Sequence, residues 1–218
     1  MLDIKTFVCN LLSENTYVVS DETKECVIID CGAYYEEERA AILNYISDNG
    51  LKPVHLLATH GHFDHNYGID TIYDNYGLKV EIAAEDDFLI TDLPGQFKSI
   101  VGAELKRKFP SVGRYFLPGE IIRFGNHQFS ILKTPGHTPG GVIFYCAEEH
   151  VAFSGDTLFK MSVGRTDFDR GNYNDLMDSL HNVVAKLPAD TVVYSGHGPK
   201  TTIAEELRYN PFLEYLSL

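Results

Sequence analysis

The chain has few cysteines, and their spacing gives no disulfide framework. Cys9, Cys26, Cys31 and Cys146 are scattered along 218 residues without a Cys-x-x-Cys pair. Three of them lie in apolar, strand-like segments, where a buried free thiol is the expected state. Such cysteine usage suits a reducing compartment, so we expect a cytoplasmic protein.

Long apolar runs and an N-terminal targeting segment are also missing. No stretch approaches the roughly 20 apolar residues that a membrane span requires, so no membrane partner is expected. The first five residues, MLDIK, contain no basic region followed by an apolar one, and we expect no secretory signal. With 44% hydrophobic residues and a mean hydropathy of −0.14, the composition is that of a soluble globular protein. The length suits one large domain.

Positive charge is scarce. The chain has 18 Lys and Arg residues against 31 Asp and Glu residues, which gives a formal net charge of −13. This balance disfavours polyanionic partners, so we expect no nucleic acid and a small molecule as the partner. The composition leaves the oligomeric state open.

Metal-ligand side chains are concentrated in the segment HGHFDH, residues 60–65. It places His60, His62, Asp64 and His65 directly after the apolar run at 54–58. Imidazole nitrogens and carboxylate oxygens suit zinc, manganese and non-haem iron. A buried strand that ends in a tight loop can direct all four side chains into one pocket. The segment therefore predicts a metal site.

Three later motifs also place ligand types directly after apolar strands. They contain His137 in a Pro- and Gly-rich loop, Asp156 after Ser154-Gly155, and His197 between Gly196 and Gly198. Each motif is weak alone, but together with residues 60–65 they give five histidines and two aspartates. Seven ligands are too many for one ion, whereas two ions that share a carboxylate and a hydroxide reach about five ligands each.

The order of predicted elements indicates an α/β fold. Strands are expected near 2–8, 15–19, 26–30, 54–58 and 79–83, and again near 120–124, 128–133, 142–146, 151–154 and 191–194. Helices are expected near 36–49, 66–76, 172–186 and 201–209. A group of strands with helices occurs twice along the chain. This order predicts two sheets that pack face to face with helices outside, a four-layer αββα sandwich. Residues 85–115 are interpreted as a helical insertion over the site, with helices at 86–90 and 98–109 separated by Pro94-Gly95.

The ligand set resembles that of the metallo-β-lactamase fold superfamily. It is most similar to the glyoxalase II branch of thioester hydrolases, and in particular to short bacterial members that lack the full C-terminal helical domain. The resemblance extends from Asn15-Thr16-Tyr17 to Asn210-Pro211 and implies one domain over 1–218 with a short C-terminal helical tail.

The resemblance also implies a dinuclear site, most simply with zinc, although iron and manganese are possible. The first ion would be held by His60, His62 and His137. The second would be held by Asp64, His65 and His197, with Asp156 as the bridge. Asp30 is expected to orient a ligand histidine from outside the ligand set.

The implied reaction is hydrolysis of a hydroxyacyl thioester. Two cations about 3.5–4 Å apart generate hydroxide at neutral pH, and this bridging hydroxide attacks the carbonyl carbon. Asp64 is the expected catalytic residue, because it can accept a hydrogen bond from the hydroxide. No Gly-x-Ser-x-Gly nucleophile motif is present in the sequence.

Other functions remain open at this point. The segment MSVGRTDF, 161–168, resembles a loop shared with persulfide dioxygenases, which use one iron. Hydrolysis of another ester or lactone and a non-enzymatic metal-binding role are further alternatives. Class B β-lactamases usually carry other residues in place of His65 and Asp156, which argues against that activity.

Substrate-binding residues are few in the sequence. Arg165 is expected either to bind substrate or to hold its loop through Asp167. The chain beyond His197 offers few groups for the carboxylates of glutathione: Lys200, Arg208, Tyr209 and Tyr215. Glutathione specificity is therefore an open question.

Overall fold

The computed structural model of the chain describes residues 1–213 and contains, within them, two sheets of six strands each. The first sheet has its strands in chain order: β1 (Asp3–Cys9), β2 (Glu14–Ser20), β3 (Glu25–Ile29), β4 (Lys52–Leu57), β5 (Glu81–Ile82) and β6 (Arg114–Tyr115). The first three strands are antiparallel, and β3 to β6 are parallel.

The second sheet follows in the chain. Its strands are β7 (Ile121–Phe124), β8 (His127–Lys133), β9 (Val142–Cys146), β10 (Val151–Gly155), β13 (Val192–Ser195) and β14 (Thr201–Thr202), with β11 (Leu158–Phe159) and β12 (Ser162–Val163) forming a separate hairpin. The spatial order is β14-β13-β10-β9-β8-β7, and the β10–β13 pair is parallel. The helices are α1 (Glu36–Asp48), α2 (Ile69–Tyr76), α3 (Asp87–Thr91), α4 (Leu93–Val101), α5 (Tyr173–Asn182) and α6 (Ile203–Tyr209).

Alternating side chains divide the core into three layers. In β2, Val18 packs in the cluster that contains α1, α2 and α4, whereas Val19 packs between the sheets. In β10, Phe153 lies between the sheets and Ala152 lies in the cluster with α5 and α6. Successive residues of a strand face opposite sides, so each sheet buries both faces. The predicted four-layer αββα sandwich is confirmed.

The carboxyl ends of four parallel-paired strands carry the polar loops. Asp30 follows β3, Thr59 to His65 follow β4, Asp156 follows β10, and Gly196-His197 follow β13. A hydrogen bond from the Gly196 amide to the Gly155 carbonyl (2.8 Å) joins two of these loops. The strand ends therefore bring the predicted ligand motifs to one edge of the sandwich.

The helix predicted at 98–109 is wrong in its bounds. Helix α4 spans Leu93–Val101, so Pro94-Gly95 lies in its first turn and does not separate two helices. A proline in the first turn loses no helical hydrogen bond, because those amides have no partner within the helix. The helix ends at Gly102, whose φ is +73°. The chain from 103 to 113 is irregular, and β6 then joins the first sheet.

Other boundaries shifted by a few residues. Helix α2 begins at Ile69 rather than near 66, and α5 ends at Asn182, before a short 3-10 turn at Val184–Lys186. Within residues 1–213, no helix has both the length and the apolar character that a membrane crossing needs.

Candidate metal centre

Asp30 fixes the start of the loop that follows β4. Its carboxylate accepts hydrogen bonds from the Thr59 amide (2.7 Å) and the Thr59 hydroxyl (2.7 Å), and it lies 3.0 Å from His65 Nδ1. Asp30 has a φ of +49°, a left-handed conformation that few residues other than glycine, asparagine and aspartate adopt. The predicted contact between Asp30 and a ligand-type histidine is present.

All seven predicted ligand residues meet at this edge. Their potential ligand atoms form two groups, each with its atoms within 4.8 Å of one another: His60, His62 and His137 in one, and Asp64, His65 and His197 in the other. We call these the first and second triads. Asp156 lies between them, because its Oδ1 is 3.3 Å from His65 Nε2 and its Oδ2 is 3.4 Å from His137 Nε2.

Asp30 is also close enough to His60 and His65 to form a third such group. Its oxygens, however, already accept the two Thr59 hydrogen bonds and face the Nδ1 side of His65. Asp30 therefore acts from outside the ligand set.

Hydrogen bonds fix the orientation of four imidazoles. Nδ1 of His65 faces the Asp30 carboxylate at 3.0 Å, and Nδ1 of His60 faces the Thr59 hydroxyl at 3.0 Å. Nδ1 of His137 donates to the Arg165 carbonyl at 2.7 Å, and Nδ1 of His197 donates to the Leu12 carbonyl at 3.1 Å. A ring that donates through Nδ1 leaves the Nε2 lone pair free, and in these rings Nε2 faces the centre.

Buried atoms without partners test whether a metal fits here. His60 Nε2 and Asp156 Oδ1 are buried and have no hydrogen-bond partner. His62 Nδ1 lies 2.8 Å from His137 Nε2, and because His137 donates through Nδ1, its Nε2 faces His62 as an acceptor. Burying unsatisfied acceptors costs about 1–3 kcal/mol each, and a cation between them removes this cost. The nitrogen and carboxylate donors present therefore fit divalent metal ions.

The pKa values in the first triad favour ligation. Burial, together with the neighbouring imidazoles, holds the pKa of His60 well below its usual value. Burial and His137 lower the pKa of His62 to about 3. Both rings are therefore neutral at pH 7 and keep the lone pairs that a metal requires.

Carboxylates surround His65 of the second triad. Burial opposes protonation of His65, but Asp156, Asp64 and Asp30 together hold its pKa well above the usual value. Burial likewise opposes ionisation of Asp156, yet the charge of His65 keeps its pKa below the ordinary range. This part of the centre concentrates negative charge around His65, which favours a bound cation.

Asp86 joins the two loops of the first triad, a role that the sequence did not reveal. Its carboxylate accepts hydrogen bonds from the Gly61 amide (2.9 Å), the Thr138 hydroxyl (2.7 Å) and the Gly140 amide (2.6 Å). Gly61 lies between His60 and His62, and Thr138 follows His137. Asp86 does follow the short strand β5, as the predicted ligands follow their strands, but the same position also fits the start of the helix predicted at 86–90.

The hairpin between β1 and β2 supports the second triad. Asn10 donates from its amide to the carbonyls of Gly32 (2.9 Å) and Asp64 (2.8 Å). Asn15 and Tyr17 donate to the Ser195 carbonyl at 3.0 Å and 2.6 Å, next to the loop of His197. The hairpin therefore contributes backbone and amide contacts to both Asp64 and His197.

The Arg165 side chain forms a bidentate ion pair with Asp167 (2.9 and 2.8 Å), and both groups are exposed. Its carbonyl accepts the hydrogen bond from His137, so the residue positions that ring through its backbone. A role of the Arg165 side chain in substrate binding remains a prediction. Among the other candidates, Lys200 lies over Tyr194 and Arg208 over Tyr209, while Tyr215 lies outside the described residues.

A cleft of about 670 Å³ adjoins the centre. His62, His137 and Asp156 form its floor. Its walls are formed by Leu12 of the hairpin, Phe63, Leu89, Gln96, Ser99, Ile100, Phe168 and Asp169. Because Gln96, Ser99 and Ile100 belong to α4, this helix borders the cleft, in the region where an insertion over the site was predicted.

Comparison with known proteins agrees with this geometry. Residues 9–197 match the family model described as the metallo-beta-lactamase superfamily. Hydroxyacylglutathione hydrolase GloC of Haemophilus influenzae is 36% identical over 214 residues, which cover 97% of this chain and 98% of that protein.

Two solved structures are also similar over nearly the whole chain. BLEG-1, described as a B3 metallo-beta-lactamase, is 34% identical with a TM-score of 0.88 and covers 98% of this chain and 99% of its own. TTHA1623 in a di-iron-bound form is 34% identical with a TM-score of 0.80 and covers 96% of this chain and 100% of its own. The family match spans both triads and Asp156. The chain belongs to the metallo-β-lactamase superfamily.

Proposed function

We propose that this protein is a dinuclear metallohydrolase that cleaves a thioester of the hydroxyacyl-thiol class. One observation carries the proposal: two triads of ligand-type residues face each other, with the Asp156 carboxylate between them. Full-length similarity to a hydroxyacylglutathione hydrolase supports this substrate class. The partner is a small-molecule thioester.

Two divalent ions, when bound, supply a hydroxide nucleophile at neutral pH and polarise the substrate carbonyl. Zinc suits the nitrogen and oxygen donors of both triads, and the di-iron form of TTHA1623 supports iron as an alternative. In this proposal, His60, His62 and His137 hold the first ion, and Asp64, His65 and His197 hold the second. Asp156 holds both.

Asp64 is the proposed catalytic residue. Although burial opposes ionisation, the charge of His65 holds its pKa below the usual value, so Asp64 is a carboxylate at pH 7. A carboxylate accepts hydrogen bonds, and Asp64 can therefore orient the attacking water toward the carbonyl carbon. The Asn10 amide donates a hydrogen bond to the Asp64 carbonyl and so helps to position the backbone from which the Asp64 side chain extends.

Parallel assays on one metal-analysed sample test the proposal. Hydrolysis of S-lactoylglutathione, persulfide-dependent oxygen uptake and hydrolysis of a cephalosporin are measured together, before and after metal removal by a chelator. We expect thioester cleavage that depends on two ions per chain and is restored by zinc.

Asp156→Asn serves as the inactive variant, and Asp190→Asn is its matched control, because Asp190 is exposed and pairs with the exposed His150. Oxygen uptake with one iron per chain would instead support the dioxygenase alternative. Cephalosporin cleavage without thioester cleavage would indicate a lactamase. Metal binding without any of these activities would leave another ester or lactone, or a non-enzymatic role, as the function.

A further inference from the structure

The cleft beside the metal centre has an apolar wall that the proposed reaction does not use. Phe63 and Leu89 are buried in this wall, while Leu12 and Ile100 remain 39% and 49% exposed at its rim. The Phe168 ring lies 5.1 Å from the His62 ring, measured between centroids. Apolar side chains thus begin directly beside the first triad and continue to the cleft mouth.

The cleft lining contains no lysine or arginine. Its carboxylates are those of Asp156, a predicted metal ligand, and Asp169. Two arginines of the neighbouring loop lie near the cleft without lining it: Arg165 pairs with the exposed Asp167 and lies over the Phe168 ring at 4.5 Å, and Arg170 lies over the Phe88 ring at 3.9 Å. The described lining therefore offers no cation to the two carboxylates of a glutathione carrier.

From this combination, and resting on the proposed thioester hydrolysis, we propose that the cleft selects its substrate by an apolar substituent on the acyl group and not by the charges of the thiol. The acyl side group is attached to the carbon next to the carbonyl carbon, whereas the carboxylates of a glutathione thiol are several bonds further away, so the side group lies close to the triads when the carbonyl is in place. Phe168 is the wall residue that lies beside the first triad, with its ring 5.1 Å from the His62 ring and 6.1 Å from the His137 ring. The preferred substrate class is accordingly a 2-hydroxyacyl thioester with an aryl or branched alkyl side group.

Four thioesters separate the contribution of the acyl side group to kcat/KM from the contribution of the thiol. Lactoyl and mandeloyl groups differ by methyl against phenyl, and each is joined either to glutathione or to the uncharged thiol N-acetylcysteamine. The kcat/KM values are divided by the rate of hydroxide-catalysed hydrolysis of each compound, which removes differences in intrinsic reactivity.

We expect the mandeloyl esters to exceed the lactoyl esters by about tenfold or more with either thiol, because the phenyl group buries more apolar area. We expect the change of thiol to alter kcat/KM by less than about threefold, since glutathione finds no cationic partner in the lining.

Ile100→Lys tests the wall directly. Ile100 lies in the last turn of α4 and is half-exposed, so a lysine there is compatible with the helix. The variant is expected to reduce the ratio of mandeloyl to lactoyl turnover by about fivefold and to raise the preference for glutathione. Ile121→Lys is the matched control, because Ile121 is 39% exposed on β7 and does not line the cleft. Its ratios should stay within about twofold of the parent protein.

Binding of thioethers by calorimetry gives a readout independent of turnover. S-benzyl-N-acetylcysteamine should bind at least tenfold more tightly than S-methyl-N-acetylcysteamine, and Ile100→Lys should reduce this difference. A preference for lactoylglutathione over all three other esters, or an unchanged ratio in Ile100→Lys, would overturn the inference while leaving thioester hydrolysis intact. If the S-benzyl compound binds more tightly than the S-methyl compound but no thioester is cleaved, the proposed function is refuted, while recognition of apolar groups by the cleft still stands.

Discussion

Two aspartates outside the ligand set position its side chains. Asp30 sets the orientation of His65 and the start of the loop after β4, and Asp86 joins the loops that carry His62 and His137. Such outer carboxylates determine which ring nitrogen is free and how precisely the ligands converge. In the proposed metal centre, the positions of the ligands would therefore depend on two residues outside the ligand set.

Asp86→Asn should weaken metal binding. The asparagine keeps one acceptor oxygen and no charge, so all three buried donors lose a carboxylate partner and at least one of them faces the amide NH2 group. We expect metal affinity to fall by about 10- to 100-fold, measured by competition with a chromophoric chelator. Asp87→Asn is the matched control, since the Asp87 carboxylate accepts from the exposed Tyr115 hydroxyl. Equal affinities in the two variants would contradict this role.

Asp30→Asn should affect the second triad selectively. Its carboxylate accepts from Thr59 and faces His65 Nδ1, so an amide cannot satisfy all of these contacts as an acceptor. The His65 ring then loses the partner that holds Nε2 toward the centre. We expect tightly held metal to fall from two ions toward one per chain after dialysis, measured by elemental analysis. Retention of two tightly held ions would count against the assignment.

The convergence of the seven ligand-type residues, and the contact of Asp30 with one of them, could be predicted from the sequence, whereas the role of Asp86 could not, for a physical reason. Each ligand directly follows an apolar strand, so a local pattern marks it. Asp86 instead bonds to residues 25, 52 and 54 positions away, and only the packing of the strands creates these contacts. Its side chain gives the same local signal as any aspartate after a strand.

At the scale of elements, the β1–β2 hairpin is part of the centre. Its turn carries the Asn10 amide to the carbonyls of Gly32 and Asp64, and its Leu12 carbonyl accepts from His197. Leu12 also lines the cleft. The same short turn thus contacts a ligand histidine and the space available to substrate.

Asn10→Ala should destabilise the fold. The change removes two buried hydrogen bonds of about 1 kcal/mol each and places alanine at a φ of +52°. We expect the free energy of unfolding to fall by about 2–3 kcal/mol in urea titrations. Asn75→Ala removes an exposed bond to the Thr71 carbonyl, and its effect should stay within about 0.5 kcal/mol. A similar loss in both variants would show that the hairpin contacts carry no special stability.

The predicted elements succeeded where periodicity was strong and failed at α4. Alternating or continuous apolar patterns predicted the longer strands of both sheets, but not the two-residue strands β6 and β14. In contrast, Pro94 in the sequence predicts the end of a helix, although a proline is tolerated in the first turn of α4, where it lies. Strand β6 is two residues long, too short for any pattern, and forms because β5 offers a free edge.

At the scale of the whole molecule, an ion-paired histidine connects the two sheets. His127 begins β8, and its Nδ1 lies 2.9 Å from the Asp21 carboxylate in the turn between β2 and β3. Its Nε2 lies 3.1 Å from Glu149. His127 belongs to none of the predicted ligand motifs, and in the structure it is buried and connects the two sheets.

The stability of the protein should depend on pH through His127. Burial opposes its protonation, but the hydrogen bonds to Asp21 and Glu149 raise its pKa above the usual 6.5. The protonated ring therefore contributes stability that is fully present below pH 6.5 and is lost as the pH rises through the raised pKa. We expect His127→Gln to lower the free energy of unfolding by about 1–3 kcal/mol at pH 6, and by less at pH 9.

Urea titrations at both pH values check this expectation. His181→Gln controls for loss of a half-buried imidazole, because its ring contacts the Phe212 carbonyl rather than a carboxylate. An equal loss at pH 6 and pH 9 in His127→Gln would contradict the electrostatic account.

The central claim is that the two triads form one dinuclear catalytic centre. Stepwise addition of zinc to the metal-free protein, with the rate of thioester hydrolysis and the bound metal measured at each step, tests it most directly. The account predicts a rate that continues to rise until two ions are bound per chain. Full activity with one ion per chain, or with none, would contradict it.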